Sequence, residues 1–232
     1  MSDNHRNHSN HKQLSGVRVL IFDLDGTLID SKLDLALSVN ATLEHMNCSP
    51  LPHETIFSFV GDGATTLIER AIARSCSKAD VAQATKYFLA YYHAHMLDHT
   101  VVYPGVREGL ELLEGRSMAV LTNKPVAFSR EILEGLGLAR HFQFVYGGNS
   151  FEKKKPDPEG VNTLLRDFAA SPSEAMIVGD SAVDVRTGRN AGVWVCCVSY
   201  GLGTDSLRAD PPDLMLDSLI ELPARLEGPL VR

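Results

Sequence analysis

The sequence has no long apolar run, no excess of positive charge and few cysteines, and each absence excludes a class of protein. No apolar stretch approaches the roughly 18 residues that a membrane-spanning helix needs. The formal net charge of -7 gives no general attraction for nucleic acid or for an anionic membrane surface. We therefore expect neither as a partner, and a phosphate group would have to be held by a local site.

The chain contains four cysteines, and no two of them form a Cys-x-x-Cys pair. Cys196 and Cys197 lie in an apolar, strand-like run, where small hydrophobic residues are expected. We therefore expect these two, with Cys48 and Cys76, to be reduced core residues of a cytoplasmic protein. Residues 1–16 lack the apolar segment of a signal peptide, and we interpret them as a disordered polar leader.

Nearly continuous apolar runs, typical of strands buried in a parallel sheet, recur along the chain. They occupy residues 17–23, 117–122, 175–180 and 193–200, with weaker candidates at 144–148 and 213–216. Helical periodicity lies between them, at 105–115, 125–136, 157–169 and 181–191. Strands that alternate with helices predict an α/β fold with a doubly wound, Rossmann-like parallel sheet.

The stretch after the first strand has a different pattern, because it is helical throughout and has no convincing strand. Its predicted helices cover residues 33–47, 53–60, 63–76 and 78–98. An insert that begins where the first strand ends should lie over the carboxyl edge of the sheet, where open α/β proteins bind ligands. We therefore predict a core domain of residues 17–30 and 101–232 and a helical cap domain of residues 31–100.

Carboxylates follow two of the predicted strands. Asp23 and Asp25 come directly after the first strand, on the same side of their loop, and two acids so placed favour a cation. Asp and Gly are also common in simple turns, which is the purely structural interpretation of this loop. Asp180 and Asp184 follow the strand at 175–180, where Asp184 could instead serve only the dipole of a helix start.

A hydroxyl group and a cation follow further strands. Thr122 and Asn123 precede a helix, where a hydroxyl and backbone N–H groups can bind an anion, although an Asn there could simply cap the helix. Lys155 is followed by a proline that restricts its backbone, whereas the two lysines before it suggest a solvated face. Carboxylates, a hydroxyl and an ammonium at one edge of one sheet predict a single active site.

Residues 23–27, 121–124, 153–158 and 178–184 resemble, in this order and spacing, the four signature motifs of the haloacid dehalogenase superfamily. The resemblance implies that Asp23 is a nucleophile that forms an aspartyl-phosphate. It also implies that Asp25 is the general acid and base, which favours phosphate esters over the other substrates of the superfamily. Phosphate would be held by Thr122 and Asn123 and neutralised by Lys155.

The same resemblance implies a magnesium ion as cofactor. A phosphate monoester is dianionic and repels a carboxylate nucleophile, so a cation is needed to offset the repulsion. Mg²⁺ prefers oxygen ligands in near-octahedral geometry. Its implied protein ligands are Asp23, the carbonyl group of Asp25 and Asp180, with Asp184 in support.

Residues 59–71, 103–106, 122–125 and 198–203 are similar to the phosphoglycolate phosphatase family. The similarity implies a small phosphorylated metabolite as substrate, with 2-phosphoglycolate the leading expectation, and a cap loop at Gly61 and Asp62 that faces it. That loop could also be a plain turn between helices. Phosphatases of N-acetylmuramic acid 6-phosphate, a pyrophosphatase branch and β-phosphoglucomutase share the same features less closely.

A phosphomutase and a non-catalytic binding protein are the rival functions for a chain with these motifs. Thr27 stands where mutases commonly have a hydrophobic residue, which disfavours a phosphomutase. A binding protein has no need to keep both Asp23 and Asp25. Arg70 and Arg74, one helical turn apart, could meet a substrate carboxylate or be exposed helix charges. The protein could be a monomer or a homodimer.

Overall fold

The computed structural model describes residue 14, residues 16–76 and residues 79–226. The predicted leader lies outside the described residues except for Leu14 and Gly16. Among the helices that are described, none combines the length and apolar character that crossing a bilayer requires.

A six-stranded parallel sheet lies at the centre of the molecule, in the strand order β5-β4-β1-β6-β7-β8. Its strands are those predicted from the apolar runs, each shortened at the ends. The described strands in chain order are β1 (Val19–Phe22), β2 (Ile29–Asp30), β3 (Val101–Val102), β4 (Ser117–Leu121), β5 (Phe144–Tyr146), β6 (Ala175–Gly179), β7 (Trp194–Val198) and β8 (Leu214–Leu216).

Helices cover both faces of this sheet, which confirms the doubly wound α/β fold. Leu20 and Phe22 of β1 belong to one apolar layer, and Val19 and Ile21 belong to the other. The described helices are α1 (Lys32–His45), α2 (His53–Phe57), α3 (Ala64–Ser75), α4 (Val81–His95), α5 (Val106–Leu112), α6 (Val126–Gly135), α7 (Glu159–Asp167), α8 (Ala182–Ala191) and α9 (Leu222–Leu226). Helices α5, α6 and α9 pack in the first layer, and α7 and α8 pack in the second.

The chain order of the strands reverses at β1. After β1 the sheet grows outward through β4 and β5, and the chain then returns to the other side of β1 to add β6, β7 and β8. In open α/β sheets, ligands bind at such a reversal, beyond the carboxyl ends of the strands. The loops that follow β1, β4 and β6 therefore meet at one place.

Helices α1 to α4, which we call the helical insert, leave the sheet after β1 and return before α5. The short strands β2 and β3 pair antiparallel at the two ends of the insert, with Ile29 opposite Val102. Buried Asp34 at the start of α1 accepts hydrogen bonds from the backbone N–H groups of His99 (3.0 Å) and Thr100 (2.8 Å). Sequence patterns missed β2 and β3, because two residues are too few to show a strand period.

The structure corrects the expectation that all four cysteines are reduced. Cys48 and Cys76 form a disulfide, with their Cα atoms 5.5 Å apart, whereas Cys196 and Cys197 are free and buried. Cys48 follows α1 and Cys76 ends α3, so the packing of these helices brings the two together. The pair is 28 residues apart and has no local motif that a sequence pattern could reveal.

Candidate active site

Three neighbouring strands end at this site. Asp23 follows β1, Thr122 and Asn123 follow β4, and Asp180 follows β6. Because β1 lies between β4 and β6, the sheet brings these side chains to one edge. The apolar strands themselves are fully buried at β1 and β6, which anchors the loops that carry the polar groups.

A compact acidic cluster lies at the centre of the site. One carboxylate oxygen from each of Asp23, Asp180 and Asp184 lies within 4.8 Å of the others. Burial, with the neighbouring negative charges, raises the pKa of Asp23 to about 6 and that of Asp180 to about 8. Because grouped, buried carboxylates repel one another, the arrangement favours a cation, and oxygen ligands suit Mg²⁺.

Lys155 lies against this cluster. Its Nζ is 2.9 Å from Asp23 Oδ1 and 2.6 Å from Asp184 Oδ1, and the side chain is 2% exposed. Burial alone would lower the pKa of Lys155, but Asp184 and Asp23 raise it above its ordinary value. The ammonium therefore stays charged beside the expected nucleophile.

Asp184 both caps a helix and contacts the lysine of the site. Its Oδ2 accepts hydrogen bonds from Ser181 Oγ (2.8 Å) and from the backbone N–H groups of Ser181 and Asp180 (3.1 and 3.2 Å), which closes a capping box at α8. Its Oδ1 pairs with Lys155. The helix-start role and the supporting role that the sequence suggested are therefore combined in one side chain.

Asp180 lies close to three glycines. Its Oδ2 accepts a 2.8 Å hydrogen bond from the backbone N–H of Gly203. A Cβ atom at Gly26 would lie 2.3 Å from the same oxygen, and one at Gly201 would lie 2.2 Å from Asp180 Cβ. A side chain at Gly26 or Gly201 would displace Asp180, and Gly203 holds Asp180 through its backbone N–H. Gly201 and Gly203 therefore contribute to the site, although sequence patterns did not identify them.

Asp25 forms a separate ion pair with a lysine to which the sequence assigned no role. Lys124 Nζ lies 2.9 and 3.0 Å from the two carboxylate oxygens of Asp25, and Ser31 Oγ donates a further hydrogen bond of 2.5 Å. Lys124 Nζ also lies 4.6 Å from the centre of the Tyr92 ring on α4. Burial alone would lower the pKa of Lys124, but Asp25 raises it. The only sequence signal was its place directly after Asn123.

Asn123 joins three parts of the site. Its side-chain amide donates hydrogen bonds to the carbonyl groups of Gly61 (3.0 Å) and Lys155 (3.1 Å). Thr122 beside it is buried, and its Oγ accepts a 3.3 Å hydrogen bond from the backbone N–H of Lys124. Both residues expected to hold phosphate are therefore at the site, with the Asn123 amide directed at backbone carbonyls.

Gly61 and Asp62, the two residues expected to face the substrate, lie in different surroundings in the loop before α3. Gly61, at φ +123°, lines the cavity between insert and core. Asp62 is not among the described residues that line the cavity, and it forms a 2.5 Å ion pair with Arg70. Arg70 also donates a hydrogen bond to the Phe59 carbonyl group (3.0 Å). Arg74 is exposed. The structure therefore brings Gly61, but not Asp62 or Arg70, to the site.

The cavity is partly open to solvent and has two chemically different walls. Its volume is about 60 Å³. Polar groups of the core, Asp23 and Asp25 among them, form one wall. Apolar side chains of the insert form the other: Leu35, Val60, Leu67, Phe88 and Leu89, with Tyr92.

Similarity to known proteins, in sequence and in structure, extends over most of the chain. The family described as haloacid dehalogenase-like hydrolase matches residues 20–198. Proteins named phosphoglycolate phosphatase are 39% identical over 215 residues in Chromobacterium violaceum (90% of this chain, 96% of the relative) and 38% over 221 residues in Vibrio parahaemolyticus (89% and 94%).

A solved structure described as a predicted phosphoglycolate phosphatase from Haemophilus somnus superposes with a TM-score of 0.86 at 30% identity. The match covers 91% of this chain and 99% of that one. The similarity therefore includes both the sheet and the helical insert.

Proposed function

Since the chain belongs to the haloacid dehalogenase-like hydrolase family, we propose that it is a phosphatase that hydrolyses 2-phosphoglycolate with the help of Mg²⁺. The observation that carries the proposal is the contact of Lys155 Nζ with Asp23 (2.9 Å), beside a cluster of buried carboxylates. The names of the relatives support the substrate. We further propose that residues 31–100 act as a cap on a core of residues 17–30 and 101–232.

In the proposed first step, a carboxylate oxygen of Asp23 attacks phosphorus, and the bond from phosphorus to the ester oxygen breaks. Asp25, which is protonated at the start of each cycle, gives its proton to that leaving oxygen. Water then attacks the aspartyl-phosphate, Asp25 takes the proton of the water, and phosphate leaves with Asp23 restored as a carboxylate. One residue thus serves as acid in the first half-reaction and as base in the second.

Two positive charges offset the repulsion between Asp23 and the dianionic ester. Lys155 is held beside the nucleophile by Asp184, whose second oxygen is fixed by the start of α8. Magnesium, when bound, would be held by Asp23, the carbonyl group of Asp25 and Asp180, and would polarise the phosphoryl group as a Lewis acid. The raised pKa values of Asp23 and Asp180 fit this assignment, because a bound cation would offset the free-energy cost of burying their negative charges.

The names of the relatives rank 2-phosphoglycolate above N-acetylmuramic acid 6-phosphate, pyrophosphate and a phosphomutase substrate.

A phosphate-release screen tests the proposal. It compares 2-phosphoglycolate, N-acetylmuramic acid 6-phosphate, pyrophosphate and β-glucose 1-phosphate with Mg²⁺ at one pH. We expect 2-phosphoglycolate to have the highest kcat/KM and Asp23→Asn to lower it by at least about 10³-fold, because the nucleophile is lost. Asp98→Asn, an exposed aspartate paired with His95, is the matched control.

Two results would contradict the proposal. One is wild-type protein that releases no phosphate from any of these esters, and the other is an Asp23→Asn variant that keeps the wild-type rate. Conversion of β-glucose 1-phosphate into glucose 6-phosphate without free phosphate would instead identify a phosphomutase.

A further inference from the structure

Lys124 is the one basic side chain among the described residues that line the cavity. Its side chain is 5% exposed, and its charge is balanced by Asp25, with which it makes contacts of 2.9 and 3.0 Å. The mechanism proposed above gives Lys124 no role. A buried ammonium that lines a substrate cavity is costly to desolvate, so its presence needs a reason.

The two buried lysines of the site lie beside different aspartates. Lys155 contacts Asp23, the proposed attacking residue, whereas Lys124 contacts Asp25, the proposed donor to the leaving oxygen. A cation bound to Asp25 therefore lies on the side of the leaving group. For 2-phosphoglycolate that side carries the carboxylate.

Lys124 retains donor capacity toward the cavity. An ammonium has three N–H donors, and the two oxygens of Asp25 take at most two of them. Tyr92, whose ring centre lies 4.6 Å from Nζ, lines the same cavity from α4. A substrate carboxylate between core and insert could therefore accept a charge-assisted hydrogen bond from Nζ without breaking the pair with Asp25.

The other candidate cations are engaged or directed elsewhere. Lys155 pairs with Asp23 and Asp184, and Arg70 pairs with Asp62 outside the described cavity lining. Arg74 is exposed on α3. Lys154 is exposed, although its Nζ would lie 3.0 Å from a Cβ atom at Gly63 on the cavity lining. Among the described residues that line the cavity, Lys124 is thus the cation placed to meet a second negative group of the substrate.

We propose that Lys124 binds the carboxylate of the substrate and thereby selects phosphorylated hydroxy acids over neutral phosphate esters. The inference rests on the proposed function, because it assigns the second charged end of the same substrate. It extends that function to a class: small esters that carry a carboxylate next to the carbon bearing the phosphate.

A comparison of two enzymes with two substrates tests the assignment. Wild type and Lys124→Met are each assayed with 2-phosphoglycolate and with ethyl phosphate, which has a neutral leaving group of similar length. We expect the ratio of the two kcat/KM values, 2-phosphoglycolate over ethyl phosphate, to fall by about 10- to 100-fold in the variant, as for loss of a charged hydrogen bond. Lys153→Met, an exposed lysine outside the cavity, should keep the wild-type ratio.

Further variants separate binding of the carboxylate from support of Asp25. Lys124→Arg keeps the charge and should retain most of the preference, whereas Lys124→Gln lacks it and should lose the preference as Lys124→Met does. The glutamine variant replaces Lys124→Met if the latter does not fold. If Lys124 only orients Asp25, kcat/KM falls equally for both substrates. The ratio of the two values is then unchanged, and the inference is overturned.

Failure of the proposed function would look different. Wild-type protein that hydrolyses neither ester overturns the proposed function and with it the inference. Wild-type protein that hydrolyses ethyl phosphate at least as well as 2-phosphoglycolate overturns the role of Lys124 alone.

Discussion

Asn123, at the end of a core strand, donates a 3.0 Å hydrogen bond from its side-chain amide to the carbonyl group of Gly61 in the helical insert. The same amide donates to the carbonyl group of Lys155 at 3.1 Å. One buried side chain thus joins the insert loop, the β4 end and the segment that carries the lysine beside Asp23. This connection couples the position of the insert to the site.

Asn123→Ala should destabilise the protein and weaken catalysis. The variant leaves the Gly61 and Lys155 carbonyl groups without their donor, at a cost of about 1–3 kcal/mol in the free energy of unfolding. We expect kcat/KM for 2-phosphoglycolate to fall by at least about tenfold, because the lysine segment is less well held. Urea unfolding and steady-state rates measure the two effects.

The control for this variant is Asn190→Ala. Asn190 makes the same type of bond, from Nδ2 to the Pro156 carbonyl group (2.9 Å), but at an exposed position. It should change stability by less than about 1 kcal/mol. Equal effects of the two variants would show that the Asn123 connection has no special importance.

Gly26→Ala should abolish activity by displacing Asp180. A Cβ atom there would lie 2.3 Å from Asp180 Oδ2, whereas none of the atoms around Gly115 lies within 4 Å of a Cβ at that position. Both glycines have positive φ (+83° and +94°), so both alanine variants should lose about 1–2 kcal/mol of stability. Only Gly26→Ala should lose most of kcat, and an inactive Gly115→Ala would contradict this explanation.

Magnesium should stabilise the protein more at pH 8 than at pH 5. The pKa of Asp180 is raised to about 8 and that of Asp23 to about 6. A carboxyl group with a raised pKa in the folded state contributes stability below its unfolded value, and this contribution is lost as pH rises from about 4 to about 8. The metal-free protein should therefore become less stable over that range. Mg²⁺ should restore more of this stability at the pH values where the carboxylates are ionised.

Thermal unfolding with and without Mg²⁺ across this pH range measures the effect, at about 2–4 °C per kcal/mol for a chain of this size. Asp180→Asn removes the carboxyl group whose pKa is raised to about 8. The metal-free Tm of this variant at pH 8 should therefore exceed that of wild type and respond little to Mg²⁺. A magnesium effect on Tm that is the same at every pH would contradict the assignment.

The disulfide between Cys48 and Cys76 should be detectable by counting thiols. In denatured, unreduced protein we expect alkylation of Cys196 and Cys197 alone, and of all four cysteines after reduction. Removing the bond in Cys48→Ser/Cys76→Ser should cost about 3–4 kcal/mol, because it releases a loop with a sequence separation of 28. Four reactive thiols without reduction would restore the expectation of a fully reduced protein.

The sequence by itself determined the strands of the central sheet. A strand buried on both faces needs a nearly continuous apolar run, which can be recognised without knowing which strand pairs with it. It also indicated which strand ends carry Asp23, Thr122 and Asp180, since each directly follows or ends such a run. Lys155 lies nine residues beyond the end of β5, and only its motif indicated it. The meeting of the strand ends at one edge follows from the parallel arrangement of those strands.

Only the tertiary structure decided which polar groups pair. Lys124 meets Asp25 across 99 residues, and Asn123 meets Gly61 across 62. The disulfide likewise depends on how α1 packs against α3. Periodicity records which face of an element is apolar, but these contacts depend on the distance between elements, which is set by the packing of the helical insert against the core.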